Sequence, residues 1–245
     1  MNADTQATPA KPAVPSLNVL SRVGLMARCI AHDLNNHLTA AYGQIELARI
    51  RTAAADPQSR HIWHARSELE FCADLISYLM PGGPAGVAAH DTNADPHEVL
   101  ESVLERCAPT LEANGVTATP QLAPGQFTVA APAWALKHVF TNLIGNACDA
   151  MQDGGELHIA SMRRYGRFQI IIRDNGPGIA DEDIDRVFDP SFTTKDRALG
   201  HGLGLATCQA AAEHFGGAVS VESGGGPGAA FTVAFDLAVG SRASG

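Results

Sequence analysis

The 245-residue sequence has no apolar run near the roughly 18 to 20 residues that a membrane-spanning helix needs. Its first residues lack the hydrophobic segment of a signal peptide, and their Ala, Pro and Thr content predicts a disordered leader over residues 1–15. Five cysteines are scattered without C-x-x-C spacing, so neither a disulfide framework nor a zinc site is indicated. These absences predict a cytoplasmic protein without direct membrane insertion.

Basic residues are also scarce, with 17 Lys and Arg against 26 Asp and Glu and a formal net charge of −9. General affinity for nucleic acid needs basic patches, so no nucleic-acid partner is expected, although a nucleotide can still bind locally. The content of 45% hydrophobic and 18% charged residues is ordinary for a globular protein with one large or two small domains.

A long amphipathic helix is predicted from about Ser16 to Ala55. Asp56 and Pro57 end it. A second helix follows to about Met80, and its predicted apolar seam is Ile62, Ala65, Leu69, Cys72, Ile76 and Leu79. Two such helices predict an antiparallel hairpin, completed as a four-helix bundle by homodimerisation or, alternatively, docked on the protein's own second domain. The apolar residues that define the seam of the first helix alternate at spacings of three and four: Leu17, Leu20, Gly24, Ala27, Ala31, Leu34, Leu38, Ala41, Ile45 and Ala48.

Three polar residues of the first helix, His32, Asp33 and Asn36, fall outside this seam. The helix therefore presents an imidazole, a carboxylate and an amide to solvent. A histidine on a polar helix face usually has no chemical role, so the interpretation of His32 depends on the rest of the chain.

The Gly- and Pro-rich segment 81–90 predicts a linker between a helical hairpin domain, 16–80, and a second domain, 91–239, with a tail at 240–245. Strands that follow strands through tight turns predict an α/β sandwich with a mixed sheet and helices on one face. The predicted elements of this domain are helices near 96–114, 132–151 and 200–214, and strands near 116–119, 126–129, 156–162, 168–174, 218–223 and 230–236.

Two motifs of the second domain are suited to a nucleotide. Asn142 and Asn146, at i and i+4, share a helix face, where amide oxygens suit a Mg²⁺ that keeps waters and phosphate oxygens. Asp174 ends a strand and precedes Gly176 and Gly178; its carboxylate can accept a hydrogen bond from the adenine amine while the glycines let the backbone approach the base. Each motif alone also fits a pair of surface amides or a simple turn.

Two further motifs follow, one from Val187 to Lys195 and one that opens a helix. Lys195 would bring a cation to phosphates. Glycines before a helix N-terminus present free N–H groups and the positive end of the helix dipole, although Gly-x-Gly-x-Gly alone is weak evidence. The residues of this last motif that are expected to contact phosphates are Gly200, Gly202, Leu203 and Gly204.

In this order the motifs make residues 17–239 resemble the two-component sensor histidine kinases. The resemblance implies a dimerisation and phosphotransfer domain followed by a Bergerat-type ATP-binding domain, and the short lid resembles the nitrogen-regulation and hybrid-kinase branch. The motifs match its H box at His32, N box at Asn142–Ala150, G1 box at Asp174–Gly178, F box at Phe188–Phe192 and G2 box at Gly200–Gly204.

The resemblance implies an ATP-dependent protein histidine kinase that uses ATP and Mg²⁺ and phosphorylates itself on His32. Asp33 would orient the imidazole, and Asn36 would orient a water that attacks the regulator's phosphoaspartate. Asn146 and Asn142 would hold the metal. The implied partners are a second copy of the chain, the receiver domain of a separate response regulator and a separate sensory protein, since neither a sensor nor a receiver is expected within this sequence.

The sequence departs from the family pattern at several positions. His37 stands where family members often carry a helix-bending Pro. Asp149, counted among the nucleotide-binding residues, and Ala150 stand where many carry Lys and Tyr, so more of the phosphate contact falls to Lys195.

Two alternatives stay open. An ATPase resembling gyrase and the heat-shock chaperones would have a Glu general base where this chain has Asn142. A phosphotransfer or phosphatase module with little kinase activity would not need Asp174, Asn146 or the glycines.

Overall fold

The computed structural model describes residue 34 and residues 36–52, 56–79, 92–190, 192–193, 204–223 and 227–238. The predicted leader, linker and tail lie outside these residues. Six of the predicted site residues lie outside them as well: His32, Asp33, Lys195, Gly200, Gly202 and Leu203.

Two helices precede the predicted linker, α1 over residues 36–51 and α2 over Pro57–Leu79. The α2 helix begins as its sequence predicts, because Pro57 is its first residue and the Asp56 carboxylate accepts a hydrogen bond from the backbone N–H of Gln58 at 2.8 Å. In the described part of the chain, no helix is long and apolar enough to cross a membrane.

Polar contacts join α1 and α2. Tyr42 donates a hydrogen bond to Glu70 at 3.4 Å, and Arg66 pairs with Glu46 at 3.3 Å. Because the later residue of α1 meets the earlier residue of α2, the two helices run antiparallel.

The rest of the described chain forms a five-stranded mixed sheet in the order β1-β2-β3-β5-β4. β1 pairs parallel with β2, and every other neighbouring pair is antiparallel. The strands are β1, Val116–Gln121; β2, Gly155–Arg164; β3, Arg167–Asp174; β4, Ala218–Glu222; and β5, Ala230–Asp236. The predicted mixed sheet is confirmed.

Helices cover one face of this sheet. Alternate residues of β2 and β3 are buried beneath them, including Leu157, Ile159, Ile170 and Ile172, while His158 and Arg173 on the other face are exposed. The helices are α3, Pro96–Ala113; α4, Ala133–Ala150; and α5, Gly204–His214; a short 3₁₀ turn, Ile184–Arg186, follows β3.

The predicted strand near 126–129 is wrong. Val129 alone makes bridges in this segment, one to Ala94 and one to Leu237. The pairing with residues 236–238 is limited to the hydrogen bonds around Val129, from Ala130 to Asp236 and from Ala238 to Thr128, and Pro132 then caps α4.

The α4 helix is the element on which the domain is built. It contacts β3, α3, α5 and α2, and its residues are buried on nearly every side. A helix that is apolar all round needs such complete cover. The polar residues buried on it, among them His138, Asn142 and Asp149, are therefore held in a fixed environment.

Candidate nucleotide-binding site

Two of the predicted glycine motifs meet α4 at different points. Gly204 is the first residue of α5, and a Cβ added there would lie 2.8 Å from Oδ1 of Asn142. A Cβ added at Gly176 would lie 3.3 Å from Cβ of Ala150, at the last turn of α4. The structure thus brings the N-terminus of α5 and the turn after β3 to the same helix, as the sequence motifs require.

The amide of Asn142 has a defined orientation. Its Nδ2 donates to the backbone carbonyl of His138 at 3.1 Å and lies 3.2 Å from Nδ1 of the same residue. Oδ1 therefore points towards Gly204, where a side chain would leave too little room. Asn142 is only 4% exposed, so this oxygen is the group it can offer at the α5 N-terminus.

His138 belongs to the site although the sequence motifs did not identify it. Its Nε2 lies 3.1 Å from Oγ1 of Thr207 on α5, and its ring stacks on Phe71 of α2 at a centroid distance of 3.6 Å. Burial lowers the pKa of His138 to about 4, so the imidazole is neutral. The available signal was its position one helical turn before Asn142 on a mostly apolar helix.

Asp174 is positioned by the end of β3. Its Oδ1 accepts hydrogen bonds from the backbone N–H groups of Gly176 at 3.0 Å and Ala229 at 3.3 Å. Burial raises the pKa of this carboxyl, against the lowering effect of the two backbone hydrogen bonds. The hydrogen bonds from Gly176 and Ala229 both reach Oδ1, and Oδ2 is the oxygen that can accept from a ligand.

The turn that follows Asp174 is anchored on both sides. Asn175 accepts a hydrogen bond from the backbone N–H of Glu156 at 2.9 Å. Ser223 accepts one from the backbone N–H of Ile179 at 2.9 Å. Gly178 has a φ of 79°, which an L side chain rarely adopts. The turn is therefore preformed before any ligand binds.

The motif from Val187 to Lys195 is described only in part. Val187 is 7% exposed, and Phe188 packs against the hydrophobic core. The guanidinium of Arg186 lies over the ring of Phe192 at 4.7 Å. These contacts fix the start of the segment that would lead to Lys195.

The α2 helix closes the remaining side of α4. The Trp63 ring packs on Gly145 too closely for any side chain there. Nε2 of His64 lies 2.9 Å from Oδ2 of Asp149. The seam predicted for α2 had included Ala65 and Cys72, which are exposed instead. These contacts of α2 agree with the alternative in which the hairpin is docked on the protein's own second domain. The dimeric four-helix bundle stays a prediction.

The donor groups suit Mg²⁺ better than a metal held by protein side chains alone. Among the described residues, no group of three or more His, Cys, Asp or Glu could hold a metal ion. Asn142 and Asn146 offer amide oxygens from one side of α4, and Mg²⁺ accepts such ligands together with waters and phosphate oxygens. Asn146 is the more accessible of the two.

Comparisons with known proteins agree with this geometry. Residues 133–239 match the family of histidine kinase-, DNA gyrase B- and HSP90-like ATPases. The C4-dicarboxylate transport sensor protein DctB of Pseudomonas aeruginosa is 28% identical over 218 residues, which cover 85% of this chain and 35% of that protein. The histidine protein kinase DivJ of Caulobacter vibrioides is 30% identical over 212 residues, 83% of this chain and 36% of that protein.

The chain thus spans little more than a third of these two relatives. Among solved structures, the catalytic domain of histidine kinase ThkA is similar with a TM-score of 0.54 and 25% identity, covering 59% of this chain and 94% of that one. Full-length ShkA, at 23% identity and a TM-score of 0.59, shares the fold over 90% of this chain and 47% of its own. The chain is thus similar to sensor histidine kinases, and its residues 133–239 match a family of ATPases.

The buried imidazole of His138 should make stability depend on pH. In the unfolded chain it titrates at its ordinary pKa of 6.5, whereas in the folded protein the pKa is about 4. The unfolded state therefore binds more protons between these values, and the free energy of unfolding falls as the pH is lowered through this window. We expect His138 to account for a loss of about 2 kcal/mol between about pH 7.5 and about pH 5, measured by urea unfolding.

His138→Gln should remove this part of the slope, whatever its effect at neutral pH. Glu70, Asp74 and Lys137 line the cleft beside His138 and are unchanged in the variant. Ala133→Gln, at an exposed position of the same helix, provides the control, because it changes no titratable group and should keep the wild-type slope. Equal slopes in wild type and His138→Gln would contradict the assignment.

Proposed function

We propose that this protein is a histidine kinase that transfers the γ-phosphoryl group of ATP to His32 and then to an aspartate of a separate response regulator. The observation that carries the proposal is the convergence on α4 of Asn142, the N-terminus of α5 at Gly204 and the preformed turn after Asp174. The match of residues 133–239 to the ATPase family supports it independently.

Each part of the site has a role in this proposal. Oδ2 of Asp174 accepts a hydrogen bond from the adenine amine, and the anchored turn with Gly176 and Gly178 approaches the base. Asn146, with Asn142, holds Mg²⁺, which when bound offsets the charge of the phosphates. Asp149 faces the bound metal or its waters, and the phosphate contacts come from Lys195, Gly200, Gly202, Leu203 and Gly204.

The transfer step forms one bond and breaks one. A ring nitrogen of His32 attacks the γ-phosphorus, the bond from that phosphorus to the bridging oxygen breaks, and ADP leaves. Asp33 orients the imidazole and takes up the proton from its other nitrogen. The phosphoryl group then passes from phosphohistidine to the regulator's aspartate, which restores His32.

A second copy of the chain is the proposed partner of the helical hairpin. Leu34, Leu47 and Ile50 on the described part of α1 are 46%, 47% and 70% exposed. Leu34 belongs to the predicted apolar seam, so a dimer would cover part of this surface. A separate sensory protein is the proposed source of input.

The described cysteines suit a cytoplasmic location. None of them, Cys72, Cys107, Cys148 or Cys208, forms a disulfide. Burial raises the pKa of Cys107 to about 12, so this thiol is inert towards oxidation. The assignment to the nitrogen-regulation and hybrid-kinase branch rests on the short lid alone and remains part of the proposal.

Replacement of His32 tests the proposed phosphorylation site. His32→Gln should bind ATP as the wild type does but should not become labelled by γ-labelled ATP and Mg²⁺, because the attacking nitrogen is gone. In the wild type the label should be labile to acid and stable to base. His37→Gln, on the same helix, is the control and should remain labelled; label on His32→Gln would reject the site.

Asp174→Asn tests the adenine contact with little change to the fold. An asparagine can keep the hydrogen bonds from Gly176 and Ala229 at its Oδ1, while its amide group faces the adenine amine with a donor instead of an acceptor. An unpaired buried donor costs about 1 to 3 kcal/mol, so nucleotide affinity should fall by about 10-fold or more.

Calorimetric titration with ADP and Mg²⁺ measures this loss. Asp153→Asn, at an exposed position after α4, should bind as the wild type does. Wild-type affinity in a folded Asp174→Asn protein would count against this pocket.

Replacement of Asn36 tests the alternative in which the protein acts as a phosphatase on the phosphorylated regulator. It is exposed on α1, one turn after position 32, and an amide there can orient a water but cannot act as a strong base. Asn36→Ala should therefore keep autophosphorylation near normal while the phosphorylated regulator persists longer. Decay of purified phospho-regulator at equal rates with wild type and variant would refute the phosphatase role and leave the kinase proposal standing.

A further inference from the structure

Asn142 on α4 and the first turn of α5 are joined in two ways. The first is direct, because Oδ1 of Asn142 faces Gly204, the first residue of α5. The second runs through two side chains, His138 on α4 and Thr207 on α5. His138 lies one turn before Asn142, and Thr207 lies one turn after Gly204. The four residues therefore form a closed ring between the two helices.

The position of each proton in this ring follows from the contacts. The Thr207 hydroxyl donates to the backbone carbonyl of Gly204 at 3.0 Å. A hydroxyl has one proton, so the Thr207 oxygen is the acceptor at its 3.1 Å contact with Nε2 of His138, and Nε2 carries a proton. The imidazole is neutral, because burial lowers the pKa of His138 to about 4. Nδ1 therefore carries a lone pair.

That lone pair faces the nitrogen side of the Asn142 amide. Nδ2 of Asn142 lies 3.2 Å from Nδ1 of His138 and donates to the backbone carbonyl of the same residue at 3.1 Å. The Glu68 carboxylate is a third acceptor for this amide. With acceptors on the nitrogen side, Oδ1 is the group that is turned towards Gly204.

Burial makes the ring costly to open. His138 and Asn142 are each 4% exposed. Cys208, the neighbour of Thr207, is fully buried, and its Sγ lies 3.9 Å from the backbone carbonyl of Val139 on α4. A buried polar group that loses its partner is not compensated by water. The ring is therefore a rigid link between α4 and α5.

The groups that this link holds are those that the proposed function assigns to the metal and the phosphates. They are Oδ1 of Asn142 and the N-terminus of α5. Mg²⁺ requires near-ideal octahedral geometry at about 2.0 to 2.1 Å, so its ligands must be placed closely. The adenine end is separate, because the turn after Asp174 meets α4 at Ala150, two turns further along the helix.

We propose that His138 and Thr207 are positioning residues for the metal and phosphate end of the nucleotide site, with the identity of the ligand taken from the proposed function. They hold Oδ1 of Asn142 and the N-terminus of α5 at the separation that a metal-bound polyphosphate requires. Both lie outside the nucleotide-binding motifs of the sequence.

Thr207→Val tests this role, because it removes one hydroxyl and nearly keeps the shape of the side chain. His138 then loses the acceptor for its Nε2 proton, and the ring opens. The affinity for Mg–ADP should fall by about 10-fold, whereas the affinity for adenosine, which has neither phosphate nor metal, should stay at the wild-type value. Thr207→Ser keeps the hydroxyl and should bind Mg–ADP within about 3-fold of the wild type.

Titrations of the full chain, followed by NMR chemical shifts, measure both ligands. Thr117→Val, the same change at an exposed position of β1, is the control and should bind both as the wild type does. A parallel loss of both ligands in Thr207→Val, or an unchanged affinity for Mg–ADP, would overturn the positioning role and leave the proposed function intact. Absence of binding of both ligands to the wild type would overturn the proposed function as well.

Substitutions of His138 repeat the test from α4 and decide it if Thr207→Val does not fold. His138→Phe keeps a flat ring against Phe71 but has no nitrogen for Asn142 or Thr207. It should lose about 10-fold in affinity for Mg–ADP and none for adenosine. In His138→Gln the new amide can donate to Thr207 and accept from Asn142, so most of this loss should be recovered. Equal affinities of the two variants for Mg–ADP would overturn the inference.

A double variant tests whether the two residues act through one chain of hydrogen bonds. The protein that combines His138→Phe with Thr207→Val should bind Mg–ADP no more weakly than His138→Phe alone, because the first change already opens the ring. Losses that add in the double variant would show independent effects and overturn the inference.

Discussion

The fold depends on the complete burial of α4. Its apolar residues need cover on every side, and the sheet, α3, α5 and α2 each supply one side. The same burial fixes the few polar groups that the helix carries. Asn142 can direct its oxygen to one point because His138 holds its nitrogen, and His138 can do so because its buried ring stays neutral. Core packing and the geometry of the site are therefore one arrangement.

The parts of the fold that follow from local pattern agree with the sequence. The strands predicted near 156–162, 168–174, 218–223 and 230–236 correspond to β2, β3, β4 and β5, and Pro57 located the start of α2. Asp174 was found because a carboxylate at a strand end followed by glycines is a local feature. The strand predicted over residues 126–129 is wrong because strand propensity does not show whether a neighbouring strand is available to pair along the whole segment.

Contacts between distant elements were harder to predict. The heptad pattern of α2 identified its apolar seam, but Trp63 and Phe71 lie off that seam and meet α4 more than sixty residues later in the chain. Ser223 anchors the turn after Asp174 from the far side of the sheet, again through a long-range hydrogen bond. Such pairings depend on which surfaces meet in the folded protein, and periodicity reports only which face of a helix is apolar.

The glycine at position 145 has a consequence for how this protein can change over generations. It lies on α4 between Asn142 and Asp149 without contributing a polar group, and the Trp63 ring packs on it. A single methyl group there would push Trp63 away from α4 and leave every donor and acceptor of the site in place. The packing of α2 on α4 can thus be altered through the size of one side chain, without replacing a polar group of the site.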